Sequence, residues 1–167
     1  MKSRTLIIHI GTEKTGTTTL QRFLHTNSKV LEGMGIWYPS DGSLTYCERS
    51  AHFPIAASLV DRWQDIVSPE KAGHFPRTVS DFCDDAARMD LPVTVVSSEH
   101  FSSRVRDADR LRVFRDTLLR TFQGVKIICY VRRQPEMVLS SFSTEVKNGH
   151  RSPLDASSIS ATDPFLN

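Results

Sequence analysis

The sequence predicts an α/β protein, a three-layer α/β/α arrangement with helices on both faces of a parallel sheet. Three observations lead there. Residues 6–10, 93–96 and 125–131 are short, largely apolar runs rich in Val and Ile, unlike the regular polar alternation of a half-solvated strand. Stretches of helical periodicity separate them, so successive strands return by crossovers and run parallel. The first run also ends directly in a glycine-bearing turn that opens a helix. A chain of 167 residues makes one domain with a real core and hardly two.

Each element has its own local reason. Leu6-Ile7-Ile8-His9-Ile10 reads as a buried strand stopped by Gly11. Thr17–Thr26 follows as a helix, with Leu20, Phe23 and Leu24 at helical spacing. Asn27 or Ser28 caps a second short helix ending near Gly33, ahead of Ile36-Trp37-Tyr38-Pro39. Residues 40–77 mix Gly, Pro, Ser and single aromatics and read as loops around a helix at 55–63. Residues 78–89 are helical, and Pro92-Val93-Thr94-Val95-Val96 is the second buried strand. A helix over 107–122 puts Leu111, Phe114, Leu118 and Leu119 on one face; Gly124 ends it before the third strand at 125–131. Pro135 suits the first turn of a last helix that runs to Gly149. Residues 1–150 thus form the folded domain, and 151–167, with Ser, Pro and Asp and little periodicity, a tail.

Composition excludes several classes. Lys and Arg number 21 against 19 Asp and Glu, and a net charge of +2 makes no basic field for coating nucleic acid or a membrane surface. The apolar run at 6–10 is too short for a signal-peptide core or a bilayer span, so the expectation is a soluble cytoplasmic protein. Cys47, Cys83 and Cys129 are odd in number and widely spaced, which predicts reduced buried thiols rather than a disulfide framework or a zinc site. His25, His52, His74 and His150 likewise lack metal-ligand spacing, and His9, inside the first strand, reads as a core histidine. Trp37, Tyr38, Trp63 and Phe75 read first as core, with an acceptor pocket or an adenine as the other use. Arg106, Arg110, Arg112, Arg115 and Arg120 alternate with acids as on a solvated helix.

The chemistry concentrates in three places. Gly11-Thr12-Glu13-Lys14-Thr15-Gly16-Thr17-Thr18 lies between a buried strand and a helix, where backbone N–H groups and the helix N-terminus make a concave anion site. Thr17 and Thr18 add hydroxyls and Lys14 adds a cation. The two glycines match the spacing of the nucleoside-triphosphate P-loop, but that motif wants Lys directly after the second glycine, where this chain has Thr17. A nucleotide kinase or ATPase would also hold magnesium with an acid at a strand end, and here the second strand ends in two serines before Glu99.

Lys14-Thr15-Gly16-Thr17-Thr18-Thr19-Leu20 resembles instead the 5′-phosphosulfate loop of the sulfotransferases that use 3′-phosphoadenosine 5′-phosphosulfate (PAPS), a family with a P-loop-like fold. A second stretch is similar to the family's 3′-phosphate site, an arginine after a strand, often in Arg-Asn-Pro, with a serine eight residues on. Arg133 and Ser141 stand at that spacing, Pro135 is in place and Gln134 replaces the asparagine. Arg132 and Ser140 offer the same spacing one residue earlier. The acid usual two positions after the proline is replaced by Met137. An arginine fork and a hydroxyl two helical turns onward can grip one phosphate.

The resemblance implies in-line transfer of a sulfuryl group from PAPS to an acceptor hydroxyl or amine, leaving adenosine 3′,5′-bisphosphate (PAP), without a metal. Lys14, Thr15, Gly16, Thr17, Thr18 and Thr19 would bind the donor's 5′ end and Arg133 with Ser141 its 3′-phosphate. Lys14 would also steady the leaving phosphate. Family members place a catalytic base just beyond the second strand, histidine in cytosolic and glutamate in several Golgi-type enzymes. Glu99 or His100 would fill that role here, Glu99 being the first choice. The likeness spans the first strand to Gly149, making residues 1–150 the nucleotide-binding domain. Nothing after Arg151 resembles the family's closing glycine- and lysine-containing loop, so 151–167 is a tail or the start of a missing C-terminal segment. Two other readings stand beside this one, a non-catalytic PAP- or PAPS-binding remnant and, further off, a P-loop kinase or ATPase.

Overall fold

The structure, a computed structural model, describes residues 3–61, 75–149 and 151. In chain order it comprises β1 (Thr5–His9), α1 (Thr17–Thr26), α2 (Ser28–Gly33), β2 (Ile36–Trp37), α3 (Phe53–Ala57), α4 (Phe75–Met89), β3 (Val93–Ser97), α5 (His100–Ser103), α6 (Ala108–Leu118), β4 (Gly124–Ile128) and α7 (Gln134–Lys147). The four strands form one all-parallel sheet in the order β2-β3-β1-β4, with helices on both sides. β1 is central: Ile8 pairs with Val96 on one side and Ile127 on the other, and His9 with Ser97 and Ile128. The chain leaves β1 towards β2 and β3, then crosses back to lay β4 on the opposite flank. The carboxyl end of β1 is therefore the point where strand order diverges, the place where open parallel sheets form a crevice.

Alternation of faces fixes the core. Leu6 and Ile8 of β1 are buried with Val96, beside an aromatic cluster in which Phe82 packs against Trp37, Tyr46 and Phe122 at ring-centroid distances of 6.2, 5.4 and 5.9 Å. Trp37 and Tyr38 are core residues, the Tyr38 hydroxyl donating to Ser50 C=O at 2.6 Å. Cys47 and Cys83 are buried thiols.

Several expectations need correction. Ile36–Trp37, too short to show periodicity, is a two-residue edge strand on β3. Asn27 does not cap α2 with its side chain; its Nδ2 donates back to Phe23 C=O at 2.7 Å and closes α1. Asp107 is the cap of α6 and not its first residue, accepting from the N–H groups of Asp109 and Arg110. Phe23 is 60% exposed, and Leu111 and Leu119 face solvent while Phe114 and Leu118 are buried; the apolar stripe is narrower than periodicity implies.

The third strand ends at Ile128 instead of 131 and is an edge. Ile127 and Ile128, 57% and 41% exposed, point to opposite faces, so both faces are open there among the described residues. An apolar run alone does not distinguish an edge strand from a central one. Cys129, expected to be buried, follows this edge and is exposed for the same reason. The helix expected over 55–63 is shorter and earlier, Phe53–Ala57, with residues 58–61 in turns; Trp63, His74, His150 and the tail beyond Arg151 lie outside the described residues, as does the side chain of Phe75.

Candidate functional site

The glycine turn sits at the divergence point because β1 ends there. Ile10 and Thr12 extend the pairing with β4 by donating to Ile128 C=O and Tyr130 C=O at 2.8 and 2.9 Å. Ser98 N–H donates to His9 C=O at 3.0 Å on the β3 side. Between these anchors the chain must turn sharply. Gly11 has φ +20°, and a Cβ there would lie 2.5 Å from Thr17 Cγ2. Gly16, at φ +85°, is the left-handed residue from which α1 starts, with open space where a side chain would stand. Lys14 adopts φ +64°, a conformation non-glycine residues avoid. The Thr15 hydroxyl donates to Thr12 C=O at 2.5 Å and tightens the loop. Within the first turn of α1 the Thr19 and Leu20 N–H groups bond Gly16 C=O at 3.0 and 3.2 Å, which leaves the N–H groups of Thr17 and Thr18, ahead of them, for an occupant of the turn.

Helix α7 lies over this loop. Lys14 Nζ donates to Thr144 Oγ1 at 2.9 Å, and the Thr144 hydroxyl donates in turn to Ser140 C=O at 3.2 Å. Met137, the buried residue of α7, has its Sδ 3.9 Å from Thr12 Oγ1. Ser140 and Ser141 fall between Met137 and Thr144 on the same side of the helix. Arg132 donates through a terminal nitrogen to Lys14 C=O at 3.1 Å and through Nε to Glu136 Oε2 at 3.1 Å. Arg133 is exposed and occupies the N-cap position of α7. The structure thus brings Arg132, rather than Arg133, against the glycine turn, while Ser140 and Ser141 both stay near it.

Two pockets flank the loop. One, about 160 Å³, is lined by Glu13, Lys14, Gly16, Thr17, Thr18 and Glu99; the other, about 390 Å³, by Lys14, Thr15, Gly16, Val131 and Arg132. Lys14 and Gly16 border both. Thr17 is buried, while Thr18 and Thr19 are exposed, Thr19 on the outer surface of α1.

Glu99 precedes the short helix α5, which the Ser102 hydroxyl fastens to the turn by bonding Gly11 C=O at 2.6 Å and Glu99 C=O at 2.9 Å. The Glu99 carboxylate lines the smaller pocket and accepts from Gln21 Nε2 at 3.0 Å. His100 turns away to pack edge-on against Phe53, centroids 5.9 Å apart, and its buried Nδ1 has no partner among the described residues. Burial holds the His100 pKa down, against the opposing pull of Glu99 and Glu13. Glu13 Oε1 is also buried, without a partner among the described residues. His9 is a core histidine, but only half satisfied: Nδ1 lies 2.8 Å from Ser97 Oγ, while Nε2 finds nothing among the described residues. Burial lowers its pKa, with Glu99 opposing.

Gln21, Ser102 and Thr144 escaped sequence reasoning. The one available signal was Gln21 itself, a polar residue four positions after Thr17 and hence on its face of the helix.

The turn collects the N–H groups of a helix start, a lysine and an arginine, donors that suit an anion, while the Glu13 and Glu99 carboxylates line the smaller pocket. Among the described residues no group of three or more His, Cys, Asp or Glu side chains could hold a metal ion, and no helix is long and apolar enough to cross a membrane. Comparison with known proteins yields no match, whether to a family model, a curated protein or a solved structure.

Proposed function

We propose that this chain is a sulfotransferase-type domain that binds PAPS around the glycine turn and transfers its sulfuryl group to an acceptor hydroxyl or amine. One observation carries the reading: Arg132, from the second motif, and Thr144, further along the helix that this motif opens, touch Lys14 of the first motif across more than a hundred residues of chain, beside two pockets. The larger pocket, between Arg132 and the loop, suits a phosphate-bearing nucleotide. The smaller one suits the reacting group, because Lys14, the α1 N-terminus and Glu99 all border it.

The donor supplies an activated sulfur–oxygen bond, and the chain supplies position and charge. Glu99 takes the proton of the acceptor oxygen or nitrogen as that atom bonds to sulfur. Lys14 and the first N–H groups of α1 meet the charge left on the 5′-phosphate as its bond to sulfur breaks. Arg132, with Ser140 or Ser141, holds the 3′-phosphate. Glu99 is favoured over His100 as base because Glu99 lines the pocket beside Lys14, whereas His100 packs on Phe53.

The test is transfer of radiolabelled sulfuryl from PAPS to a panel of sugar, phenol, lipid and amine acceptors. Wild type gives labelled product, and Glu99→Gln abolishes it while keeping PAP affinity. Loss of transfer in His100→Ala but not in Glu99→Gln would reverse the assignment of the base.

A further inference from the structure

Behind the pocket a chain of buried polar side chains leads to Glu99. Gln21, only 4% exposed, sits one helical turn after Thr17 and shares the inward face of α1. Its Nε2 reaches Glu99 Oε2 at 3.0 Å and Ser97 Oγ at 3.3 Å. An ionised carboxylate only accepts, so the amide nitrogen must face it, and the two hydrogens of that nitrogen serve both partners. Ser97 is fully buried and contacts His9 Nδ1 at 2.8 Å. His9, Ser97, Gln21 and Glu99 therefore form one hydrogen-bonded chain from β1 through β3 and α1 to the pocket.

We propose that Gln21 is a positioning residue that fixes the Glu99 carboxylate, occupying Oε2 and leaving the other oxygen for the acceptor. As a role in catalysis this rests on the reading of Glu99 as proton acceptor. Glu99 stands at the N-cap of a four-residue helix, and its side chain makes no capping bond there. A general base must lie within hydrogen-bond reach of the proton it takes, and a misplacement of about 1 Å can cost about a hundredfold in rate. The backing is rigid because Ser97 belongs to a central strand: its N–H donates to His52 Nδ1 at 3.1 Å and its C=O accepts from His52 N–H at 2.9 Å.

The experiment compares wild type with Gln21→Met, which keeps length and shape but not the donors. In protein labelled with ¹³C at glutamate carboxyls, the Glu99 resonance is assigned by its loss in Glu99→Gln. It moves in Gln21→Met while those of Glu32 and Glu145 stay. In the transfer assay kcat falls about ten- to a hundredfold, with PAP affinity unchanged. Gln21→Asn, one methylene too short, gives the same pattern if Gln21→Met fails to fold. An unmoved Glu99 resonance, or a loss of PAP affinity equal to the loss of kcat, overturns the proposal. If wild type transfers nothing to any acceptor, the functional reading fails and the resonance alone decides whether Gln21 holds Glu99.

Discussion

Acid should loosen the frame behind the site through His52. The ring is fully buried, its Nε2–H donating to Pro39 C=O at 2.9 Å and its Nδ1 accepting the Ser97 N–H at 3.1 Å. Both nitrogens are committed to one neutral tautomer, and a proton on Nδ1 would have to displace the Ser97 N–H. Burial, only partly opposed by the bond to Pro39 C=O, lowers the pKa from 6.5 to about 4. Between those values the unfolded chain binds a proton that the folded chain does not. The stability is therefore fully present above pH 6.5 and is lost as the pH falls towards 4, by roughly 3 kcal/mol in total. His9 and His100, also lowered by burial, act in the same direction. The assay is urea unfolding of wild type and His52→Gln near neutral pH and near pH 4.5. Carboxylate titration is common to both proteins and cancels in the difference. The variant is less stable at neutral pH, and the gap narrows by about 2–3 kcal/mol on acidification. A gap that stays constant would refute a neutral, buried His52.

Three further outcomes follow from the loop. Lys14→Ala weakens PAP binding by about ten- to a hundredfold, as for loss of a charged hydrogen bond, and a calorimetric titration reads it. Arg132→Ala does the same while Arg133→Ala stays within about twofold; the reverse pattern would restore the Arg133 register. Gly11→Ala forces a methyl against the buried Thr17 and lowers Tm by several degrees, for about 1–3 kcal/mol of overpacking, in a thermal melt.

The elements legible in the sequence are those set by local chemistry. The buried runs at 6–10 and 93–96, the glycine turn and the proline-started last helix each carry their cause within a few residues. Ile36–Trp37 is too short to show periodicity and becomes a strand only because Val93 and Thr94 present an open edge. The run at 125–131 is as apolar as the other two, yet its exposure depends on what covers the flank of the sheet. The Arg132 and Arg133 registers share one spacing, and only the path of the chain between Tyr130 and α7 separates them. Gln21 reads as an ordinary helix residue until β3 brings Ser97 and Glu99 beside it.

Calorimetric titration with PAP, beside ATP with and without magnesium, decides whether the glycine turn and α7 together read a 3′-phosphate. PAP binds without a metal and ATP much more weakly, because Arg132 and the α7 hydroxyls would read a 3′-phosphate that ATP lacks. Preference for magnesium-ATP over PAP would contradict it.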